Sequence, residues 1–461
     1  MDFSGEIREE ESFLKNILVK FRKKDFSGTT GQAMKNSSYQ LAQNLIFKFG
    51  SLLFTIVIAR MLLPERMGLY NLALATIILF VSFSDLGISS ALITYCSKLL
   101  GRGDLSKAKG YVKKLFKWKL ILILCASIIL LISAYFIAEF YYQKPIFYAL
   151  LVGAIYLPVI SLIGFLEQIF KTNENFKTPM QKEILFQIIR FIFVPLGIFL
   201  FLEANFSNQG IVSGVLLTLV FSYLVALIFL ALNAKKKIKF LQESPKKLEK
   251  KEVKDLKKFI YPLSATAMAG MFFGYIDTLM LGHFVSSQYI AYYGAAFSLV
   301  GGVIAIIGFM SLSLMPIFAR KSGKELESIF RKTRELTILI SLIAGIFTYI
   351  ISYFVVKLAY GTEYLLAVPI LRWFSLLVII LPILGIYVSY YVAQKKTKEL
   401  AWLILGSAIL NIVFNFFGIN YGLSVGGEMG AVFGAVGATL LSRGLYLMGL
   451  VSFRKKKLIK S

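Results

Sequence analysis

Gln40, Asn44, Lys48, Ser51 and Thr55 recur at steps of four, four, three and four inside an apolar run that includes Leu41, Leu45, Ile46, Phe47, Leu52, Leu53, Phe54 and Ile56. On a helix this spacing puts all five on one face. An ammonium in the middle of a spanning helix is costly and is tolerated chiefly where it faces a bundle interior or a watery path. Arg190, Arg372 and Arg443 fall inside other apolar stretches. A guanidinium stays charged, and its fork of donors matches phosphate. With Lys48 and Asn44, these three arginines predict a cationic cavity for an anionic substrate.

Asp277 is an acid inside an apolar stretch, and such a carboxylate can pair with Lys48 or Arg372 or take up a proton or sodium ion. Five further positions are secondary candidates. Arg60, near a helix end, can snorkel to the interface. Asp85 and Glu167, near inner helix ends, read as salt bridges or caps of an inner gate. Asn411 and Asn415 are one turn apart on a shared face; hydrogen bonds between helices come first and substrate contact second. His283 is the single histidine, so no histidine-based metal site is expected, and no cofactor or catalytic residue. Cys96 and Cys125 read as small apolar residues rather than a disulfide.

The elements that must hold these residues are membrane helices. Hydrophobic residues make up 57% of the chain and the mean hydropathy is +0.72, above the roughly 45–50% apolar of a soluble domain. Apolar stretches of roughly 20 residues span a bilayer. Twelve occur here, near 38–62, 67–90, 119–138, 146–169, 183–202, 209–232, 259–283, 289–316, 336–358, 366–392, 400–418 and 429–452. The sequence predicts an all-α membrane protein with no cleavable signal, since the first 37 residues lack an apolar core.

Charge sets the orientation. Of the 51 lysines and arginines, 43 lie in the two tails and in the connections after the second, fourth, sixth, eighth and tenth stretches. The opposite connections hold only Arg66 and Lys144. The positive-inside rule then puts both termini in the cytoplasm and the protein in the cell membrane. The net charge of +26 follows from this topology, with added attraction to anionic membrane lipids, and no nucleic-acid partner is implied. Residues 13–24 pattern as a short basic amphipathic helix. Tyr387, Tyr390 and Tyr391 read as an interfacial aromatic belt.

The basic connection 234–258 divides the stretches six and six and reads as a solvated linker. The segments are then a basic start 1–37, a first lobe 38–233, the linker, a second lobe 259–453 and a tail 454–461. Sliding the chain by 222 residues places Tyr70 on Tyr292, Ala73 on Ala295 and Val81 on Val303. A slide of 220 places Gly210 and Gly214 on Gly430 and Gly434. Such parallel repeats, related by an axis along the membrane normal, predict a substrate site between the lobes. The first slide also puts Asp277 on the face equivalent to Lys48. The four glycines read as close helix packing.

The run Ala59-Arg60, Pro64-Glu65-Arg66, Gly68, Tyr70-Asn71 and Ala73, followed by Ser84-Asp85-Leu86-Gly87 and Ala91, resembles the polysaccharide-biosynthesis flippases of the Wzx type. Tyr275-Ile276-Asp277, Tyr292-Tyr293-Gly294-Ala295-Ala296 and Asn411 to Asn415 agree with it. These belong to a superfamily that also holds the MATE drug extruders and the lipid II flippases. The resemblance implies a two-lobed, MATE-like transporter. It would turn a lipid-pyrophosphate-linked oligosaccharide from the inner to the outer leaflet by alternating access, with glycan-assembly enzymes as partners. Lipid II flippases generally carry two further helices. Drug extruders often have an acid in the first helix, where this chain has Lys48. A cation-coupled drug or metabolite antiporter is the alternative reading. No loop is large enough for a glycosyltransferase domain, and no phosphate-cradling GxxxxGK[ST] loop is present.

Overall fold

Proline and glycine decide where this chain turns. The computed structural model describes residues 28–320, 322–394 and 396–458; the expected basic helix at residues 13–24 lies outside them. Eleven α-helices follow one another, and no strand occurs among the described residues. They are α1 (Gly28–Phe83), α2 (Ile88–Leu100), α3 (Leu105–Tyr135), α4 (Phe147–Thr172), α5 (Lys177–Glu203) and α6 (Asn208–Lys237). The second half holds α7 (Lys250–Phe284), α8 (Ser287–Arg320), α9 (Gly323–Tyr360), α10 (Ala367–Ala393) and α11 (Thr397–Leu458). A π-helical stretch, Phe136–Tyr142, prolongs α3.

Two helices are folded in two. Pro64 bars the helical conformation from the residue before it; Leu63 sits at φ 61°, and α1 becomes two arms. Gly426 and Gly427 break α11, with Gly427 at φ 60°, a region glycine enters without a Cβ penalty. The arms of α1 and α11 together with α3 to α10 make twelve crossings. Side chains fix several helix starts. Asp104 accepts from the Lys107 amide and Ser207 from the Gly210 amide, while Glu249 and Glu252 form a capping box on α7.

The helices pack in two groups. In the first, α4, α5 and α6 gather against α1; in the second, α10 packs on α8, α9 and α11, and α11 also packs on α7. The groups meet where α1 lies against α8 and α7, and where α2 touches α7. The arms of α11 approach through glycine: a Cβ on Gly430 would collide with the Gly422 carbonyl, and one on Gly434 with that of Gly418.

Four expectations change. The second crossing ends at Phe83, because Ser84 to Gly87 form a turn, with Gly87 at φ 87°, before the short helix α2. The connection 238–249 is docked rather than solvated. Ile238 and Phe240 are buried, the Lys246 amide donates to the Ser106 carbonyl, and Gly110 leaves no room for a Cβ against the Lys246 carbonyl. Tyr387, Tyr390 and Tyr391 are buried with Phe318 and Phe330 rather than forming a belt. Arg454, placed in a solvated tail by its sequence, is buried over Phe330 and Tyr390 and paired with Glu327.

Candidate functional site

The first arm of α1 shows two exposed strips separated by two packed faces. Gln43, Gly50, Ser51 and Phe54 meet α4 or α5, through Glu167, Gln187, Arg190 and Phe191 respectively. On the other side Leu52 meets Gly302 of α8, and the Ala59 carbonyl accepts from the Tyr364 hydroxyl. One exposed strip, with Phe49 and Leu53, is apolar. The other holds Gln40, Asn44 and Lys48. Lipid suits the first strip, whereas the second is polar and exposed between the two packed faces. Lys48 has no ion pair among the described residues.

Arg190 is not on that strip. It is buried within the first group, donates to Gln187 at 2.8 Å and to the Ser51 hydroxyl at 3.2 Å, and lies 4.4 Å from the Phe54 ring centre. A run of buried polar contacts continues below it. Gln187 donates to Glu183 at 2.7 Å, and Lys182 bridges Glu183 at 2.9 Å and Glu167 at 2.6 Å. Lys182, Glu183 and Gln187 were not singled out from sequence, although Glu183, Gln187 and Arg190 stand at steps of four and three on α5.

Asp277 is buried in the second group, 7% exposed, with neutral donors on its oxygens. The Tyr293 hydroxyl and the Asn415 amide donate to it at 2.5 and 2.6 Å, and the Thr439 hydroxyl also donates. Asn411 donates to the Ser442 hydroxyl at 3.1 Å. The side-chain oxygens of Asn411 and Asn415 are buried without a hydrogen-bond partner among the described residues. Carboxylate, amide and hydroxyl oxygens are hard donors, and no cluster of three His, Cys, Asp or Glu occurs among the described residues. Tyr293 and Thr439 were missed in the sequence. Thr439, Ser442 and Arg443 share a face of α11 at steps of three and one, which is a weak signal.

Arg443 lies one turn of α7 away from that carboxylate. It donates to the Phe273 carbonyl at 3.0 Å and covers the Phe273 ring at 3.7 Å. Arg372 stands apart on the α9–α10 seam, donating to the Ser352 hydroxyl at 3.1 Å, 5.5 Å from Tyr349, with exposed Trp373 and Leu376 beside it. The four predicted cations therefore occupy four settings rather than one cavity wall. Asp85 pairs with Lys119 at 2.9 Å and accepts from Ser89. Arg60 donates to the last carbonyls of α9, Leu358 and Ala359, where the helix dipole favours a cation.

At the end away from the basic connections the two groups are in close contact. Lys144 donates to the Gly282 carbonyl at 2.6 Å, and His283 donates to the Tyr141 carbonyl at 2.7 Å. Gly68 has no room for a Cβ against the Ser287 carbonyl. At the basic end α7 is latched to α2 and α3, through Lys107–Glu252 and the Tyr95–Phe259 ring contact. The Lys107 ammonium holds the Glu252 carboxyl below the usual carboxylate range.

Comparison with known proteins follows this geometry. Residues 33–322 match the family model described as polysaccharide biosynthesis protein, and 262–417 match the MatE model. The chain belongs to the polysaccharide biosynthesis protein family. Stage V sporulation protein B of Bacillus subtilis is 24% identical over 198 residues, a stretch covering 43% of this chain and 38% of that relative. Among solved structures, the lipid II flippase MurJ in an inward closed conformation superposes with a TM-score of 0.68 at 16% identity, covering 91% of this chain and 87% of that one. An inward-facing multidrug resistance MATE transporter of the MOP superfamily gives 0.63 at 15% identity, covering 92% and 96%. The fold is the MATE-like, two-lobed, twelve-helix one, and the protein is a multi-pass membrane protein.

Proposed function

We propose that this member of the family is a flippase for lipid-pyrophosphate-linked oligosaccharides, moving the glycan from the inner to the outer leaflet by alternating access. The observation that carries the reading is Lys48. It is an unpaired ammonium on the exposed polar strip of α1, a strip that in this reading faces the gap between the lobes. An ammonium there offsets pyrophosphate charge, Asn44 and Gln40 offer hydrogen bonds to sugar hydroxyls, and the lipid tail stays in the bilayer. The basic connections put both termini in the cytoplasm and the contacts around Lys144 and His283 at the outer gate. The gate at the outer ends is then closed, and the latch of α7 on α2 and α3 would be the inner contact that transport has to release.

Asp277 is the candidate coupling group. Its neutral donors, with the unpartnered oxygens of Asn411 and Asn415, provide a place for a proton or sodium ion whose binding would bias the packing of α7 against α11. This cluster, and the MatE match over the second half, also favour a second reading, a cation-coupled antiporter of a soluble compound.

Proteoliposomes containing a fluorescent polyprenyl-pyrophosphate oligosaccharide separate the two readings, with an external quencher reporting leaflet exchange. The flippase reading expects protein-dependent exchange that Lys48→Ala slows and Arg372→Ala does not. Failure to exchange any such lipid, while an ion gradient drives a soluble compound across, would establish the antiporter instead.

A further inference from the structure

A cavity of about 660 Å3 opens at the basic end of the first lobe. The foot of α1 supplies Gln32, Asn36 and Gln40, the end of α2 supplies Ser97, and the α4–α5 turn supplies Asn173 and Phe176. A second hollow of about 320 Å3 shares Gln32, Asn36 and Phe176 and adds Tyr39. Neither hollow is lined by arginine, and the charges present are mixed, with Lys171 and Glu174 in the first.

These residue types recognise a particular chemistry. Side-chain amides donate and accept in one plane, as adjacent hydroxyls on a sugar ring require, and an aromatic ring offers a face to the ring's C–H groups. Thr172 adds an independent sign of a ligand. It lines the cavity, is 4% exposed, and its Oγ1 has no hydrogen-bond partner among the described residues. A buried hydroxyl left unpaired costs free energy, which a ligand oxygen would recover.

The cavity is continuous with the strip that carries Lys48. Gln40 lines it, Asn44 is one turn further along α1, and Lys48 the next, about 12 Å from Gln40 by helical rise. A short saccharide chain bridges that distance. We propose that this vestibule is a saccharide subsite, holding the sugars distal to the lipid through Asn36, Gln40, Asn173 and Thr172 while Lys48 meets the pyrophosphate. The inference rests on the flippase reading and adds to it the place where the glycan is read. It also assigns the glycan a polar, largely uncharged end, since a strongly anionic or cationic one would find no matched set of opposite charges here.

Photocrosslinking of the full chain in nanodiscs tests it. The probe is the sugar-labelled, tritiated polyprenyl-pyrophosphate fraction extracted from the membranes of the cells that make the protein. p-Benzoylphenylalanine is placed at position 36 in one sample and at position 44 in another. Capture at 36 of label that mild acid releases is expected. Thr172→Val should reduce that capture about five-fold, the loss of one hydrogen bond, with capture at 44 unchanged and the melting temperature not lowered, and Thr172→Ser should restore it. Capture at 44 with none at 36, or capture at 36 indifferent to Thr172→Val, overturns the subsite and leaves the flippase reading standing. Capture at neither position removes that reading and the subsite with it.

Discussion

In the first lobe, α4 and α5 bury Glu167, Lys182, Glu183 and Arg190 in one run where each charged group has a polar or charged partner. In the second lobe Asp277 is buried among a tyrosine, an asparagine and a threonine, with Arg443 turned to the face of Phe273. Two carboxylates around one ammonium, with a guanidinium above, form a closed set that ties α1, α4 and α5 together. A lone carboxylate with neutral donors, beside two unpartnered amide oxygens, retains capacity for a cation. The fold thus uses its buried charge as a brace on one side and, in the function proposed above, as a receptor on the other.

Removing the hub of the brace has the largest expected effect. Lys182→Ala leaves the buried Glu183 without its ammonium and Glu167 with only the more distant Lys171 at 3.8 Å, and should cost about 3–5 kcal/mol of stability, read as an early melting transition in detergent. Replacing all three charges at once, with Glu167→Gln, Lys182→Met and Glu183→Gln, should restore much of that loss, because no buried carboxylate is left alone and Arg190 keeps its bonds to Gln187 and Ser51. The receptor should behave differently. Asp277→Asn changes stability by only about 1–2 kcal/mol, the weakening of charge-assisted hydrogen bonds, yet removes any dependence of transport on an ion gradient. A similar melting loss in Lys182→Ala and Asp277→Asn would erase the distinction.

Arg443→Met tests whether that cation belongs to the receptor. Loss of its contact with the Phe273 ring should cost about 0.5–2 kcal/mol, and the ion dependence of transport should change only if Arg443 acts together with Asp277. The smallest effect concerns the latch at the basic end. The Glu252 carboxyl has a lowered pKa, so its contribution is complete above the ordinary glutamate range and is lost as pH falls through the lowered value. The protection of amides in 238–258, taken relative to their intrinsic exchange rates, should therefore fall in acid, and Glu252→Gln should flatten that dependence.

Helix number, the lobe division and the polar strip of α1 were legible because spacing and charge are local properties of sequence. Pro64 and the pair Gly426-Gly427 mark turns for the same reason. Partner choice was not legible. Arg190, Arg372 and Arg443 look alike in apolar sequence, yet one meets Ser51 and Gln187, one Ser352, and one the Phe273 backbone, since which face of a helix meets which neighbour depends on tertiary packing. Lys182 and Glu183 sit at the expected inner edge of a span, where charge is ordinary, and only the approach of α4 through Glu167 buries them. The linker's lysines suggested solvent, whereas Ile238 and Phe240 anchor it.

The most direct test of the two-lobe account is thermal unfolding of the purified chain in sodium and in potassium buffers, each across a pH series. The wild type and Glu183→Gln should both be stabilised by sodium or by protons, by about 2.7 kcal/mol when the ion is a hundredfold above its dissociation constant, and Asp277→Asn should lose that response. An ion response that survives Asp277→Asn, or disappears only in Glu183→Gln, would place the ion in the first lobe and contradict the account.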